Sequence, residues 1–127
     1  MQKILALFAV VFLLAACDNG TGNTIAGPTT ITSSATGVTL GLRGKNGQKF
    51  VYICPSSITF ESVWGTDVYT DDSRICSAAV HFGKITQGAG GAVTIEIAAG
   101  LSSYAGSVRN GVSSANWDSW PGSYVFK

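Results

Sequence analysis

The stretch that decides the fold runs from Val63 to Ile85 and reads VWGTDVYTDDSRICSAAVHFGKI. Its second half predicts one helix of about ten residues. Residues 71–73, Asp-Asp-Ser, offer N-cap oxygens and negative charge to the helix start, and Gly83 offers a left-handed stop. At 100° per residue, the apolar side chains of this helix cover about 200° of its circumference. So wide an apolar arc predicts a central helix that is covered on more than one side.

Strand patterns lie on both sides of this helix. Residues 38–42 alternate and lead to Asn46-Gly47, which favours a hairpin whose second strand is residues 50–54. That second strand is apolar on both faces, so we expect it in an interior position covered on both sides. Further strands are predicted at residues 93–97 and 124–126. The fold class is therefore α+β, with short strands joined by Gly-rich turns.

The N-terminus carries an export signal. Lys3 precedes an unbroken apolar run, Ile4 to Leu14, which is shorter than the roughly 20 residues of a membrane-spanning helix. The run ends in Leu14-Ala15-Ala16-Cys17, which resembles the lipobox of bacterial lipoproteins. We predict that residues 1–16 are a signal peptide and that a lipid on Cys17 anchors the protein to a membrane of the cell envelope, facing the periplasm or the exterior. The alternative is ordinary signal cleavage with Cys17 left as a free thiol.

The mature chain divides into a tether and one domain. Residues 17–36 are mostly small and polar, which is typical of a flexible tether. The length of the remainder supports a single folded domain, predicted at residues 37–127.

Charge excludes one class of partner. The chain has eight Lys and Arg against seven Asp and Glu, and removal of Lys3 with the signal peptide leaves a net charge near zero. Nucleic-acid binders need clustered basic residues to neutralise phosphates, and the sequence has no such cluster. The carboxylates at 71 and 72 do not have the spacing of a calcium loop, and no Gly-rich stretch has the form of a phosphate loop. We predict no nucleic-acid partner, no cofactor and no metal.

Cysteine use agrees with export. With Cys17 committed to a lipid, Cys54 and Cys76 remain as an even pair in an oxidising compartment. We predict a disulfide between them. The alternative is two buried thiols.

The stretch from Val63 to Ile85 resembles the signature helix of the LCCL domain. Residues 47–55 resemble the entry strand with its Cys-Pro, and parts of residues 104–123 resemble the end of the domain. The similarity covers about residues 43–127 and implies a single central helix wrapped by two small antiparallel β-sheets. Members of the family with four cysteines have one shortly after Cys-Pro, where this chain has residues 56–58, Ser-Ser-Ile, and another further upstream. The resemblance therefore implies one bridge here rather than two.

The candidate ligand-binding residues lie near the C-terminus. Trp117 and Trp120, in a Ser- and Gly-rich stretch, could form a stacking platform for sugar rings. Nearby, Arg109 could orient a polar ligand. The alternatives are that both tryptophans pack the core and that residues 109–111 form a turn.

His81 is the single histidine and has two interpretations. It could contact a ligand, or act as a base beside Ser73 or Ser77 with one of the carboxylates at 71 and 72 orienting it. With those carboxylates it could also hold a metal. The alternative is a structural histidine that hydrogen-bonds to strand backbone at the end of the helix. Because neither a nucleophile elbow nor zinc-binding histidine spacing accompanies it, we predict that the protein is not an enzyme.

Two function hypotheses follow. The first is a membrane-anchored, extracytoplasmic, non-catalytic recognition module that binds a glycan or a lipid-linked saccharide, lipopolysaccharide included by analogy with the family. The second is a structural or protein-interaction lipoprotein of the envelope, which contacts an envelope protein and has no small-molecule ligand. The first predicts an exposed tryptophan on a concave surface. The second predicts buried tryptophans and an uncovered edge strand.

Overall fold

The computed structural model describes residues 27–127, so the predicted signal peptide and the first half of the predicted tether, Cys17 included, lie outside the described residues. The helix α1 spans Ile75–Phe82. The strands are β1 Thr29–Thr30, β2 Lys49–Cys54, β3 Gly65–Thr66, β4 Val68–Thr70, β5 Gly91–Ala99, β6 Val108–Arg109, β7 Val112–Ser113 and β8 Gly122–Phe126. Within residues 27–127, no helix has the length and apolar character needed to cross a membrane.

The strands form one six-stranded sheet and one two-stranded ribbon. The order in the sheet is β1-β2-β5-β8-β4-β3, and the ribbon pairs β6 with β7. The pairing of β1 with β2 is parallel, and the other pairs of named strands in the described part are antiparallel. The α+β class is confirmed. In place of two small antiparallel sheets, the fold has one larger mixed sheet and a short ribbon.

Helix α1 is enclosed, as its wide apolar arc predicts. Every residue from Ile75 to His81 is buried. On one side Phe82 packs against Phe126 of the sheet, with ring centroids 5.4 Å apart. At the other side the amide Nδ2 of Asn110, next to the ribbon, donates to the carbonyl of His81 at 3.0 Å. The helix therefore lies between the sheet and the ribbon.

The two ends of α1 give different outcomes. Gly83 adopts φ 93° and its N–H bonds to the carbonyls of the last turn, so the predicted stop is confirmed. At the start, the N-cap is Arg74 and no side chain caps the helix, so the predicted Asp-Asp-Ser cap is wrong. These side chains have tertiary partners instead. The Ser73 hydroxyl accepts from the Trp64 N–H at 2.9 Å. The Asp71 carboxylate accepts from Arg43 and Trp120.

The predicted disulfide is present. Cys54 at the end of β2 is bonded to Cys76 in α1, with their Cα atoms 5.6 Å apart. Both residues are buried in the core. The bridge fixes the helix to the sheet.

The domain begins earlier than the composition indicated. Residues 29–30 form β1, and the Ile31 N–H donates to the Ile53 carbonyl at 3.0 Å. Ile31 and Ala35 are buried in the core. The boundary predicted at residue 37 is therefore wrong, because a few apolar side chains in a polar stretch are enough to pack this segment onto the edge of β2.

The predicted opening hairpin is also wrong. Residues 38–42 form turns, in which the Leu42 N–H donates to the Gly37 carbonyl at 2.8 Å. Strand β2 is interior in the sheet as expected, but its neighbours are β1 and β5. Its faces are not both covered, since Val51 is 43% exposed.

Two stacked tyrosines in the core predict a loss of stability at high pH. Tyr69 and Tyr124 are fully buried, with ring centroids 5.9 Å apart. Burial raises the pKa of Tyr69 to about 12 and raises the pKa of Tyr124 well above its ordinary value. An unfolded tyrosine has a pKa of about 10 and loses its proton first, so the contribution of Tyr69 is complete below pH 10 and is lost as pH rises from 10 to about 12. In that range each buried tyrosine lowers the free energy of unfolding by about 1.4 kcal/mol per pH unit.

We therefore expect the urea midpoint to fall steeply between pH 10 and 12. Tyr69→Phe removes one titrating group and should give a shallower slope than the wild type, even though its stability at pH 7 is lower. Equal slopes in the two proteins would contradict the assignment.

Candidate functional site

Three tryptophans form a row on the surface, here called the tryptophan row: Trp64, Trp117 and Trp120. The ring centroids of Trp64 and Trp117 are 5.9 Å apart with planes at 65°, and those of Trp117 and Trp120 are 6.2 Å apart at 79°. Edge-to-face contacts of this kind stabilise aromatic clusters. Trp117 in the middle is 45% exposed, whereas its neighbours are half-buried. The row thus presents one ring to solvent and supports it at both sides.

Backbone pairing brings the row together. Trp117 exchanges two hydrogen bonds with Tyr104, at 2.8 and 3.0 Å. Two residues earlier, Ala115 donates to the carbonyl of Val63 at 2.9 Å and forms a parallel bridge with Trp64. These bonds place Trp117 beside Trp64 although the two are far apart in sequence.

A buried carboxylate holds the end of the row. Asp71 Oδ1 accepts from the indole Nε1 of Trp120 at 2.8 Å. The guanidinium of Arg43 donates to both oxygens of Asp71, from Nε at 2.8 Å and from Nη2 at 2.7 Å. A Cβ at position 122 would collide with this carboxylate, so only the glycine found there lets β8 approach it.

Arg43 also covers the ring that Asp71 orients. Its Cζ lies 5.4 Å from the centroid of the Trp120 ring, which is cation–π distance. The hydrogen bond to Asp71 raises the pKa of Arg43 above its ordinary value. Trp120 is therefore fixed and partly covered, and Trp117 is the tryptophan of the row with the most accessible ring.

A cavity of about 270 Å³ lies at the other end of the row. Its lining residues come from three segments of the chain and are Thr36, Val38, Thr39, Ser62, Trp64, Asp72 and Arg74. Two buried polar atoms of these residues, Asp72 Oδ1 and Arg74 Nε, have no hydrogen-bond partner within residues 27–127. The guanidinium of Arg74 is held by other contacts, because Nη1 donates to the Ser34 carbonyl at 2.6 Å and Nε lies 3.7 Å from Glu61.

His81 is buried and takes the structural role. Its Nε2 lies 3.1 Å from the backbone carbonyl of Ser107. Because a carbonyl only accepts, Nε2 carries the hydrogen, and Nδ1 accepts from the Tyr69 hydroxyl at 2.8 Å. His81 therefore joins helix, sheet and ribbon, and its burial leaves it no access to a ligand at the surface.

The catalytic arrangement considered for His81 does not form. The Ser77 hydroxyl accepts from the Glu61 N–H at 3.0 Å, and Ser73 bonds to Trp64. The Asp71 carboxylate is taken by Arg43 and Trp120. Within the part of the chain that the structure describes, no group of three or more His, Cys, Asp or Glu is placed to hold a metal ion.

Arg109 does not join the tryptophans. It pairs with Asp67 at 2.7 Å on the exposed surface. Asn110 and Gly111 follow with φ of 50° and 78°, so the interpretation of this stretch as a turn is confirmed. Arg43 provides the guanidinium beside the row instead. Its local sequence gives no signal of this, whereas Trp64 could have been found as the tryptophan of the signature stretch.

Comparison with known proteins finds relatives in sequence. Vitrin from Homo sapiens is 38% identical over 79 residues, which are 61% of this chain and 12% of vitrin. Clotting factor C from Tachypleus tridentatus is 39% identical over 75 residues, 58% of this chain and 7% of that protein. Cochlin from Bos taurus is 38% identical over 80 residues, 61% of this chain and 14% of cochlin.

The chain thus corresponds to a small part of each of these relatives, between 7% and 14% of their length. The match to a family is broader. Residues 28–124, well over half of the chain, match the LCCL domain. This chain therefore belongs to the LCCL domain family.

Proposed function

We propose that this protein is an extracytoplasmic, non-catalytic recognition module that binds a saccharide through the tryptophan row. The observation that carries the proposal is Trp117, which is 45% exposed and held between two other indoles. Exposing a large aromatic ring costs free energy, and such rings occur where a ligand covers them. The apolar face of a sugar ring, with its C–H groups, suits a flat indole.

The geometry of the row favours a short saccharide. Because its planes are inclined by 65° and 79°, a sugar stacked on Trp117 cannot stack on Trp64 or Trp120 at the same time. Neighbouring sugars would instead meet indole edges and the polar groups at either end, Arg43 and Asp72. We infer a ligand of a few sugar units, such as the end of a glycan or the saccharide of a glycolipid.

The proposal includes the anchor. A lipid on Cys17 would hold the domain at a membrane of the cell envelope, and an oxidising compartment suits the Cys54–Cys76 bridge. Nine residues lie between Cys17 and Gly27, where the described part begins. This tether, which is shorter than the predicted tether of residues 17–36, would keep the tryptophan row close to saccharides on the same membrane surface.

Replacing Trp117 with alanine tests the proposal. We expect affinity for the saccharide to fall at least tenfold, about 1.4 kcal/mol, because the stacking surface is lost. Intrinsic tryptophan fluorescence, titrated with a panel of envelope oligosaccharides, measures this change. Val51→Ala is the matched control, since Val51 is 43% exposed and lies on β2, at the other end of the sheet from β3. A variant lacking Trp117 that binds as the wild type does would contradict the proposal.

An exposed strand edge supports a second function, a structural or protein-interaction role in the envelope. Strand β1 is the outermost strand of the sheet, and Thr29 and Thr30 are both exposed. A strand from an envelope protein could add to this edge through main-chain hydrogen bonds. Addition of such an envelope protein should slow amide hydrogen exchange near Thr30. If it does so while the tryptophan fluorescence stays unchanged, this role is favoured over saccharide binding.

A further inference from the structure

We propose that the domain contacts an anionic membrane surface through a patch of four exposed residues, here called the lysine patch: Pro28, Lys45, Lys49 and Val51. This inference rests on the lipid anchor of the proposed function and adds how the domain is oriented on its membrane. It follows from the place where the tether enters the domain, from the exposure of the patch and from the distribution of charge.

The tether enters the domain at the lysine patch. Gly27 and Pro28 line a cavity together with Lys49 and Val51. A flexible chain as long as the one from the anchor to residue 27 spans roughly 17 Å on average. A domain of about 100 residues is roughly 33 Å across. The length of the tether therefore favours contact with the bilayer through the surface next to Gly27.

The side chains of the patch are free to meet lipid headgroups. Cys54 of β2 is buried and bonded to the helix, so Lys49 and Val51, an odd number of residues away, point to the opposite face of the sheet. Val51 is 43% exposed there. Lys45 is exposed in the turn that leads into β2, where its carbonyl accepts from the Gln48 N–H at 3.0 Å. The patch thus offers two cations and two apolar side chains.

Charge is separated along the sequence of the domain. Residues 27–60 contain three cationic residues and no Asp or Glu. Six side-chain carboxylates follow, and five of them lie in residues 61–72 or at position 118, in the segments that carry the tryptophan row. An anionic surface therefore attracts the end of the domain with the lysine patch and repels the end with the row.

Ion pairing strengthens this separation. Arg43, Arg74 and Arg109 each lie within 4 Å of a carboxylate, at 2.7, 3.7 and 2.7 Å. The sixth carboxylate, Glu96, lies 3.5 Å from Lys127. Lys45 and Lys49 form no ion pair within residues 27–127, so their charge is available to phosphate groups of lipids.

This orientation leaves the tryptophan row free. Strand β3 follows Trp64 directly and is four strand spacings from β2, roughly 19 Å. The row therefore lies away from the lysine patch, yet it stays within reach of sugars that project from the same bilayer.

Nuclear magnetic resonance of the lipidated protein in nanodiscs tests the inference. A nitroxide on the lipid headgroups broadens the amide signals nearest to the bilayer. In phosphatidylcholine nanodiscs that contain phosphatidylglycerol, we expect the Val51 signal to broaden more than that of Trp117. Each lysine near an anionic bilayer favours contact roughly fivefold, so Lys49→Glu should lower the ratio of the two broadenings at least fivefold. Lys84→Glu is the matched control, because Lys84 is an exposed lysine outside the patch, and it should keep the ratio.

A change of lipid covers the case in which Lys49→Glu fails to fold. Wild-type protein in pure phosphatidylcholine should show the same fall in the ratio. A ratio that is equal in neutral and anionic nanodiscs would overturn the inference, and the anchor would still stand if mass spectrometry finds acyl chains on Cys17. If Cys17 carries no acyl chain, the anchor fails and the inference fails with it. Saccharide binding is tested separately, by Trp117→Ala.

Discussion

Replacing Cys54 and Cys76 together with alanine is expected to lower the free energy of unfolding by about 3 to 4 kcal/mol. The bridge closes a loop of about 23 residues, and the chain-entropy model gives about 3.4 kcal/mol for a loop of that size. Small domains have a net stability of only about 5 to 15 kcal/mol, so this loss is a large fraction of the total. Urea denaturation of the purified double variant, followed by tryptophan fluorescence, measures it.

A reduction experiment provides the control. Wild-type protein in excess reductant should unfold at nearly the same urea concentration as the double variant, whereas reductant should not affect the variant. If the oxidised wild type and the variant have the same midpoint, the bridge contributes no net stability. The helix would then be held to β2 by packing alone.

Replacing Asp71 with asparagine is expected to lower the free energy of unfolding by about 3 kcal/mol. Both oxygens of Asp71 accept hydrogen bonds, from Arg43 and from Trp120. An amide turns one of these acceptors into a donor that faces another donor, and it leaves Arg43 without its counter-charge. Breaking a buried ion pair costs about 3 to 5 kcal/mol. The lower end applies here because the Arg43 side chain is 39% exposed and regains water.

Asp67→Asn is the matched control for Asp71→Asn. It makes the same chemical change in the Arg109–Asp67 pair, whose two side chains are exposed. Exposed pairs contribute up to about 1 kcal/mol, so this variant should lose little stability. The tryptophan emission spectrum should shift only in Asp71→Asn, because the acceptor of the Trp120 indole loses its negative charge there. Similar losses in the two variants would contradict the role of Asp71.

Local patterns predicted the regular elements where a core face is strongly apolar. Strand β5 alternates as predicted, with Val93, Ile95 and Ile97 buried, because only one register puts all three inward. The helix was predicted from its arc, and burial of Ile75 to His81 agrees with it. The same reasoning failed at residues 38–42, since an alternating pattern without a partner strand does not make a strand.

The candidate site was predicted only in part. The sequence predicts Trp117 as a stacking residue, and Trp117 is exposed in the row, but Arg109 and His81 are held elsewhere by Asp67 and by Tyr69. A cationic or titratable side chain looks the same in the sequence whether it faces a ligand or a tertiary partner. The tertiary structure determines which residue lies beside such a side chain. Proximity to a tryptophan in the sequence therefore does not predict that the two side chains meet.

The sequence by itself determined the central helix, its glycine stop, the apolar strands and the pairing of Cys54 with Cys76. Each follows from short-range periodicity, from a backbone conformation that glycine favours, or from an even number of available thiols. The tertiary structure alone decided the start of the domain, the anchoring of Trp120 and the cavity beside Trp64. Asp71 meets Arg43 across 28 residues and Trp120 across 49, and contacts over such separations depend on how the sheet folds rather than on local pattern.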